Sequence, residues 1–235
     1  MTINDFRSED VSKGGQGAPL VPIGDRHLFA EYPICLNIGG IANVSYEMNG
    51  RRVAYDICMA NQLLNYLANK LGYDYDNNGQ FAKQGKVDKE LFDILNDNAY
   101  YKQDAPKSLG REFFENVQHK IIDESSLSIN DLLATATEHI AHQIVKSTDN
   151  LEKSKMLVTG GGAKNNFLIE RICSLSKHEI VIPDVMITDF KEALIFAFLG
   201  VLKMEGKINV LSSVTGASSD SSSGKTSQVE LKVEN

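Results

Sequence analysis

With 235 residues, 42% of them hydrophobic and 23% charged, the chain is long enough to bury a sizeable core and is neither fibrous nor low in apolar content. A formal net charge of −7 excludes the basic footprint of a general nucleic-acid binder. No run approaches the roughly 20 apolar residues that span a bilayer, and MTINDFRSEDVSKGGQG has no apolar signal core, so the expected compartment is the cytoplasm.

Residues 5 to 24, with GGQGAP and two prolines, read as an arm of loop rather than helix. Three short strand-like runs follow between 33 and 57, and Asn49-Gly50 marks a hairpin between ANVSYEM and RRVAYDI. Gly39-Gly40 separates the first run from the second, giving a three-stranded β-meander. Residues 60 to 71 predict a helix with Leu63, Leu64, Leu67 and Leu71 on one stripe and Gly72 as its stop. A polar loop leads to a helix near 88–97, and DAPKSLGRE is a loop before a further helix. Ser128 and Asp131 form a variant capping box for an amphipathic helix over 129–146. Its stripe is Leu132, Ala136, Ile140 and Ile144, widened by Leu133 and Ala141.

The strand KMLVTG, three glycines and a helix over 165–176 come next. HEIVIP is a short strand, and 190–204 reads as an apolar, buried helix. The serine-rich tail from 212 is expected to be mobile after Gly216. A meander followed by βα units predicts an α/β fold in which helices pack on a mixed sheet.

Cys35, Cys58 and Cys173 form no CxxC pair and are expected to be buried free thiols, with Cys58 the best placed for reactivity because it follows Asp56. His139 and His142 lack a third ligand, so no metal site is expected there. Lys107 and Arg111 read equally as an anion contact or a surface pair, and the tyrosines at 73, 75, 100 and 101 as packing residues.

The stretch GGGAKNN carries the chemistry. The dinucleotide fingerprint fails because residue 165 is Asn, and the phosphate-loop pattern around SGKT fails because residue 219 is Ser. What remains is a strand, three glycines and a helix N-terminus, which suits either an anionic or nucleoside ligand or a tight β-to-α turn with positive φ. A second glycine turn, in NIGGIANVS, can also present backbone N–H groups to a phosphate. Two such turns, one in a meander and one in a later βα unit, resemble the second lobe of the actin-like ATPase and sugar-kinase superfamily.

The likeness sharpens along the chain. FRSEDVSKGGQGAPLVP (6–22), LNIGGIANVS (36–45), YDICMAN (55–61), PKSLGRE (106–112), VTGGGAKNNFL (158–168), EALIFAFLG (192–200) and SVTGA (213–217) resemble, in order, the blocks of anhydro-N-acetylmuramic acid kinases. The resemblance implies a ribonuclease H-like, actin-type ATPase lobe with a sugar-side arm at 1–32, a C-terminal kinase lobe at 33–211 and a tail at 212–235. It departs from the family in two places. The Gly/Ser/Thr-rich loop GTxSGTSxDG of the first lobe does not occur, so the N-terminal lobe is expected to be absent, and the common FDxGPGN stands here as Tyr55-Asp56-Ile57-Cys58-Met59-Ala60-Asn61.

The family reaction opens a 1,6-anhydro bridge with water while ATP, with Mg²⁺, phosphorylates O6. Asp56 matches the catalytic aspartate, although an aspartate before a helix is equally good as an N-cap. The resemblance assigns Gly39, Gly40 and Asn43 to the phosphates and Gly160, Gly161, Gly162 and Asn165 to the adenosine side. It leaves Arg7, Asp10, Gly15, Gly17, Asn61 and Glu192 for the sugar, with Arg7 suited to a lactyl carboxylate. The partners expected are ATP, an amino sugar, a first-lobe polypeptide in trans and a second copy of the chain. The alternative is a non-catalytic remnant, or a sugar- or nucleotide-binding partner of a paralogous kinase. An actin- or chaperone-like ATPase is disfavoured by PKSLGRE and the GGQGAP arm.

Overall fold

In the computed structural model, which describes residues 1–227, the chain begins with β1 (Thr2–Asn4), α1 (Ser8–Ser12) and α2 (Pro22–Leu28). The meander is β2 (Ile34–Ile38), β3 (Ile41–Met48) and β4 (Arg51–Met59), followed by α3 (Asn61–Asn69), α4 (Gln80–Gln84) and α5 (Lys89–Asn96). The short helices α6 (Arg111–Phe113) and α7 (His119–Asp123) precede the long α8 (Ile129–Thr148), then β5 (Lys155–Thr159), α9 (Asn166–Leu175) and β6 (Glu179–Val181). The last described elements are α10 (Val185–Met204), α11 (Ser212–Thr215) and β7 (Lys225–Ser227). Two compact units result: one holds Met1–Ala30, Glu47–Ala54 and the chain from Phe190 onward, the other Glu31–Tyr46 and Tyr55–Asp189.

The second unit is built on a five-stranded sheet in the order β4-β3-β2-β5-β6, with the tip of the β3–β4 hairpin counted in the first unit. β2 runs antiparallel to β3 and parallel to β5, and β5 runs parallel to β6. A meander extended by parallel βα strands is the mixed sheet of a ribonuclease H-like, actin-type ATPase lobe. Asn49 and Gly50 take φ of +52° and +74°, the left-handed pair that a two-residue hairpin requires. Ile34, Cys35, Leu36 and Ile38 are all buried because β2 is central and covered on both faces.

Helix α8 starts as its sequence predicts, with the Ser128 hydroxyl accepting the Asp131 N–H at 3.2 Å and donating to the Asp131 carboxylate at 2.7 Å. Its six expected stripe residues are buried, and the helix packs against α3, α4, α5 and α9. His139 lies in this core, with Nδ1 2.9 Å from Asn96 Oδ1 and Nε2 3.3 Å from the Tyr101 hydroxyl. Burial pushes its pKa down to about 3, so it is a neutral, hydrogen-bonded core group at physiological pH. Tyr73 and Tyr75, expected to pack, are exposed, whereas Tyr100 and Tyr101 are buried.

The first unit corrects three readings of the sequence. The arm forms two helices instead of loop. Pro22 occupies the first turn of α2, where its missing N–H costs nothing, and Gly24 lets α10 approach: a Cβ there would stand 2.4 Å from Ile195 Cγ1. Helix α10 begins at Val185, not 190, and buries only one face. Lys191, Ile195, Leu199 and Leu202 point inward, while Phe190, Leu194, Val201 and Met204 are exposed, Met204 by 63%.

The serine-rich segment is also held through Ser227. Asn209 Oδ1 accepts the Ser223 N–H at 2.7 Å, Ser221 bridges Val210, and β7 pairs antiparallel with β1. The Ser221 and Ser223 hydroxyls satisfy each other at 2.8 Å in the interior, so serine serves here as a small hydrogen-bonding core residue rather than a marker of disorder. The rest of the expected tail, 228–235, lies outside the described residues. No helix among the described residues is long and apolar enough to cross a membrane.

The Gly24–Ile195 contact leads to a direct test. Gly24→Ala should destabilise the protein by about 1–3 kcal/mol through overpacking, read by urea denaturation. In an Ile195→Ala background the same substitution should cost nothing further, because the side chain it would strike is gone.

Candidate active site

The ends of β2 and β5 lie side by side because the two strands are parallel. Ligands of open α/β sheets bind beyond such carboxyl ends. Gly39 and Gly40 make the turn that follows β2, and their carbonyls accept the first N–H groups of α3. Ala60 N donates to Gly40 at 2.8 Å, Asn61 N to Gly39 at 3.0 Å and Gln62 N to Gly40 at 3.2 Å. The hairpin turn therefore supplies the cap that Ala60, the N-cap residue, has no side-chain oxygen to give. Asn61 closes the corner by donating from Nδ2 to the Ile38 carbonyl at 3.2 Å. Asn43 stands opposite Asn37 in the β2–β3 ladder.

The three glycines after β5 have different reasons. Gly160 has φ +85°, and a Cβ there would fall 2.6 Å from Asn37 Oδ1 and 2.8 Å from the Ile38 carbonyl. A Cβ on Gly162 would fall 2.2 Å from Ile38 Cγ2. Both are glycine because the β5–α9 turn passes against the end of β2. Gly161 is exposed, and its nearest neighbour would be Asn61 Nδ2 at 3.5 Å, so of the three it is the one open to a ligand. Asn165, assigned to adenosine by resemblance, uses its side-chain oxygen to cap α9, accepting the Leu168 N–H at 3.1 Å. Gly39, Gly40, Asn61 and the glycine triplet thus gather around Ile38.

Asp56 is the sixth of nine residues in β4, with Ala60 as the helix N-cap, so capping is not its role. β4 is an edge strand, and the backbone of Asp56 is bonded away from the sheet. Its N–H donates to the Lys107 carbonyl at 3.3 Å, and its own carbonyl accepts the Tyr100 hydroxyl. Its Oδ2 accepts the Leu109 N–H at 3.0 Å. Burial pushes the carboxyl pKa above the ordinary value, with the Leu109 N–H acting the other way. Cys58, read as a buried free thiol but with the best claim of the three to reactivity, is indeed fully buried, and burial drives its pKa far upward, so it stays protonated and inert. The Tyr100 and 107–109 contacts have no local sequence signal, because they cross more than forty residues of chain.

In the first unit, Arg7, Asp10, Gly15 and Gly17 do come together, but they bind one another. Arg7 Nη1 donates to the Gly17 carbonyl at 2.5 Å. Asp10 is buried, accepting the Gly17 N–H at 2.8 Å and the Thr215 hydroxyl at 2.7 Å, and a Cβ on Gly15 would sit 2.2 Å from its Oδ2. Both oxygens of Asp10 are committed internally, so it holds the arm rather than a sugar. Glu192 does not head its helix; it lies one turn and more inside α10 and is exposed.

A glycine turn at the first corner of the meander, a second glycine turn on the neighbouring parallel strand and a sheet of order β4-β3-β2-β5-β6 form an actin-type ATPase lobe. The chain belongs to the anhydro-N-acetylmuramic acid kinase family, whose model matches residues 1–228. Among curated relatives, the anhydro-N-acetylmuramic acid kinase of Vibrio cholerae serotype O1 is 38% identical over 230 residues, covering 92% of this chain and 62% of the relative. That of Actinobacillus pleuropneumoniae serotype 7 is 36% identical over 229 residues with the same coverage. The chain thus spans a little over three fifths of the length of these relatives. Solved structures with similarity include an activator of 2-hydroxyisocaproyl-CoA dehydratase from Clostridium difficile with bound ADPNP, at TM-score 0.45 and 19% identity over 70% of this chain and 57% of that one. The dehydratase component A of Acidaminococcus fermentans gives 0.49 and 16%, over 74% and 63%. Neither score adds to what the sheet order already gives.

The raised pKa of Asp56 sets the sign of a stability test. The folded state holds this proton more tightly than the unfolded chain, so ionising Asp56 costs stability as pH rises through its folded pKa. Asp56→Asn removes the buried charge and can keep the Leu109 hydrogen bond. The variant should melt no lower than the parent at pH 7, and its advantage should vanish as pH falls toward the unfolded carboxyl value of about 3.9. Melting curves between pH 4 and 8 check this.

Proposed function

We propose that this chain supplies the second-lobe half of an ATP-dependent kinase that converts 1,6-anhydro-N-acetylmuramic acid, ATP and water into N-acetylmuramic acid 6-phosphate and ADP, in the cytoplasmic recycling of cell-wall muropeptides. The observation that carries the reading is Asp56: a half-buried carboxylate with a raised pKa, not used as a cap, on a strand beside two glycine-lined turns. As a general base, Asp56 takes a proton from water as the water oxygen bonds to the anomeric carbon. The bond from that carbon to O6 breaks, and O6 takes the γ-phosphoryl group from ATP.

On this reading Gly40 and Gly161, the exposed glycines of the two turns, face the nucleotide. Gly39 and Asn43 shape its phosphate side, Asn61 lies on the sugar side, and Gly160, Gly162 and Asn165 hold the turn that carries Gly161. Mg²⁺ would arrive with the phosphates and neutralise their charge. Arg7 is assigned to the lactyl carboxylate on family likeness. The arm at 1–32, the lobe at 33–211 and the tail at 212–235 remain the proposed functional division.

These 235 residues contain no GTxSGTSxDG stretch, so turnover requires that loop from another segment, in cis or in trans. A second reading, a non-catalytic binding partner, draws support from YDICMAN: Cys58 and Met59 are buried and simply continue β4 where the family has glycine and proline.

Activity separates the two readings. The 235-residue chain alone should show no steady turnover. Supplied with a first-lobe segment of a relative, it should turn over, and Asp56→Asn should lower kcat by about 10²- to 10⁴-fold. Survival of activity within a few-fold would leave Asp56 without the proposed role. The expected homodimer draws on the exposed stripe of Phe190, Leu194, Val201 and Met204. Sedimentation should show concentration-dependent dimerisation, weakened by Leu194→Glu; a monomer at high concentration would count against it.

A further inference from the structure

Lys107 lies in a segment whose sequence reads equally as anion contact or surface pair, and its surroundings fit neither. Its ammonium sits over two tyrosine rings, 4.8 Å from the centroid of Tyr100 and 5.3 Å from that of Tyr55, and donates to the Tyr100 carbonyl at 3.2 Å. The same short segment makes two of the three contacts that reach Asp56 from outside the sheet. The Lys107 carbonyl takes the Asp56 N–H, and the Leu109 N–H meets the carboxylate. The third is the hydroxyl of Tyr100, the residue whose ring and carbonyl hold the Lys107 head. By contrast, the nearby Arg111 is exposed and pairs with Glu115 four residues on.

We propose that Lys107 is a positioning residue for Asp56, acting through the Tyr100–Leu109 segment that it ties to the edge of the sheet; the inference rests on the catalytic reading of Asp56 for its consequence but not for its geometry. An edge strand offers unpaired backbone groups that need a cover, and here the cover is a loop with little regular structure of its own. A lysine clasped by two rings gives that loop a fixed point. A cation over two ring faces resists removal when partly desolvated, and burial lowers the pKa of Lys107, as expected for an ammonium withdrawn from water. Other charged or titratable groups around this corner are Asp104 and Lys146 beside Lys107, and Tyr55, Cys58 and Tyr101 around Tyr100. Of these, Asp104 and Lys146 act oppositely on Lys107.

Freed of the lysine, the loop loosens and Leu109 N–H no longer stays on the carboxylate. That hydrogen bond favours the ionised form, but the same loosening readmits water, and burial is the larger of the two influences, so the pKa of Asp56 falls back toward the ordinary carboxyl value. The test uses the 235-residue chain with carbonyl-labelled aspartate, comparing the parent with Lys107→Met, Lys107→Arg and Tyr100→Phe by NMR titration and amide exchange. Lys107→Met should move the Asp56 titration to lower pH and speed exchange at the Asp56 and Leu109 amides. Lys107→Arg should restore both. Tyr100→Phe keeps the ring under the ammonium and should lose only the bond to the Asp56 carbonyl, which provides a folded comparison if Lys107→Met is unstable. An unchanged Asp56 titration with parent-like exchange in Lys107→Met would overturn the proposal.

In the reconstituted enzyme, Lys107→Met should lower kcat by roughly 10- to 100-fold with KM unchanged, the scale of a misplaced reacting group. The acidic limb of the pH–rate profile should shift to lower pH with the Asp56 titration. A shifted NMR titration together with full activity would sink the catalytic reading of Asp56 and leave the positioning geometry standing; a shift in neither would sink the positioning.

Discussion

The second unit depends on how closely its backbone passes the end of β2. At Ile38 the turn after β5 comes so near that side chains at Gly160 and Gly162 would overlap the Asn37–Ile38 segment. On the other side, the carbonyls of Gly39 and Gly40 reach the first amides of α3. One strand end thus fixes the start of a helix and the course of a β-to-α turn together. Because a parallel sheet leaves its ligand face at this end, the contacts that stabilise the fold are the ones that shape the candidate site. The remaining exposed glycines, Gly40 and Gly161, are what that packing leaves open.

Asp56 shows a different solution to a related problem. A carboxylate on an edge strand in the middle of a polar, open surface would be hydrated and ordinary in acidity. Here the Tyr100–Leu109 segment covers the edge, removes water and replaces part of the lost solvation with one backbone N–H. The result is a carboxyl group of raised pKa, a stronger proton acceptor than an ordinary aspartate. Burial without compensation has the opposite use at Cys58, two residues on, where it suppresses chemistry.

The first unit is organised by buried charge. Asp25 meets Lys191 at 2.7 Å and Arg52 at 3.7 Å, all three nearly inaccessible. Arg52 also reaches Glu47, which Arg26 holds at 2.9 Å. Such a group adds little net stability over an apolar core, but deleting one member leaves an uncompensated buried charge at a cost of about 3–5 kcal/mol. It joins α2, the β3–β4 hairpin and α10, three segments remote in sequence, and each polar member was invisible as a core residue. Lys191 in particular stands in an apolar helix that sequence alone would bury whole.

Local signals in the chain settled a good deal. Asn49-Gly50 set a hairpin, Ser128 and Asp131 set a helix start, the period of α8 named its core residues, and the ordered glycine blocks named the family. These succeed because they depend on backbone conformation or on periodicity within a few residues. Tertiary structure decided the rest. It made helices of an arm rich in Gly and Pro because α10 packs against Gly24, and core residues of Ser221 and Ser223 because Asn209 waits for them. It also buried Asp10 and bonded its two oxygens to Gly17 and Thr215. Whether a polar side chain serves a ligand or its own fold depends on which distant group arrives beside it, and that is a matter of packing that no local pattern encodes.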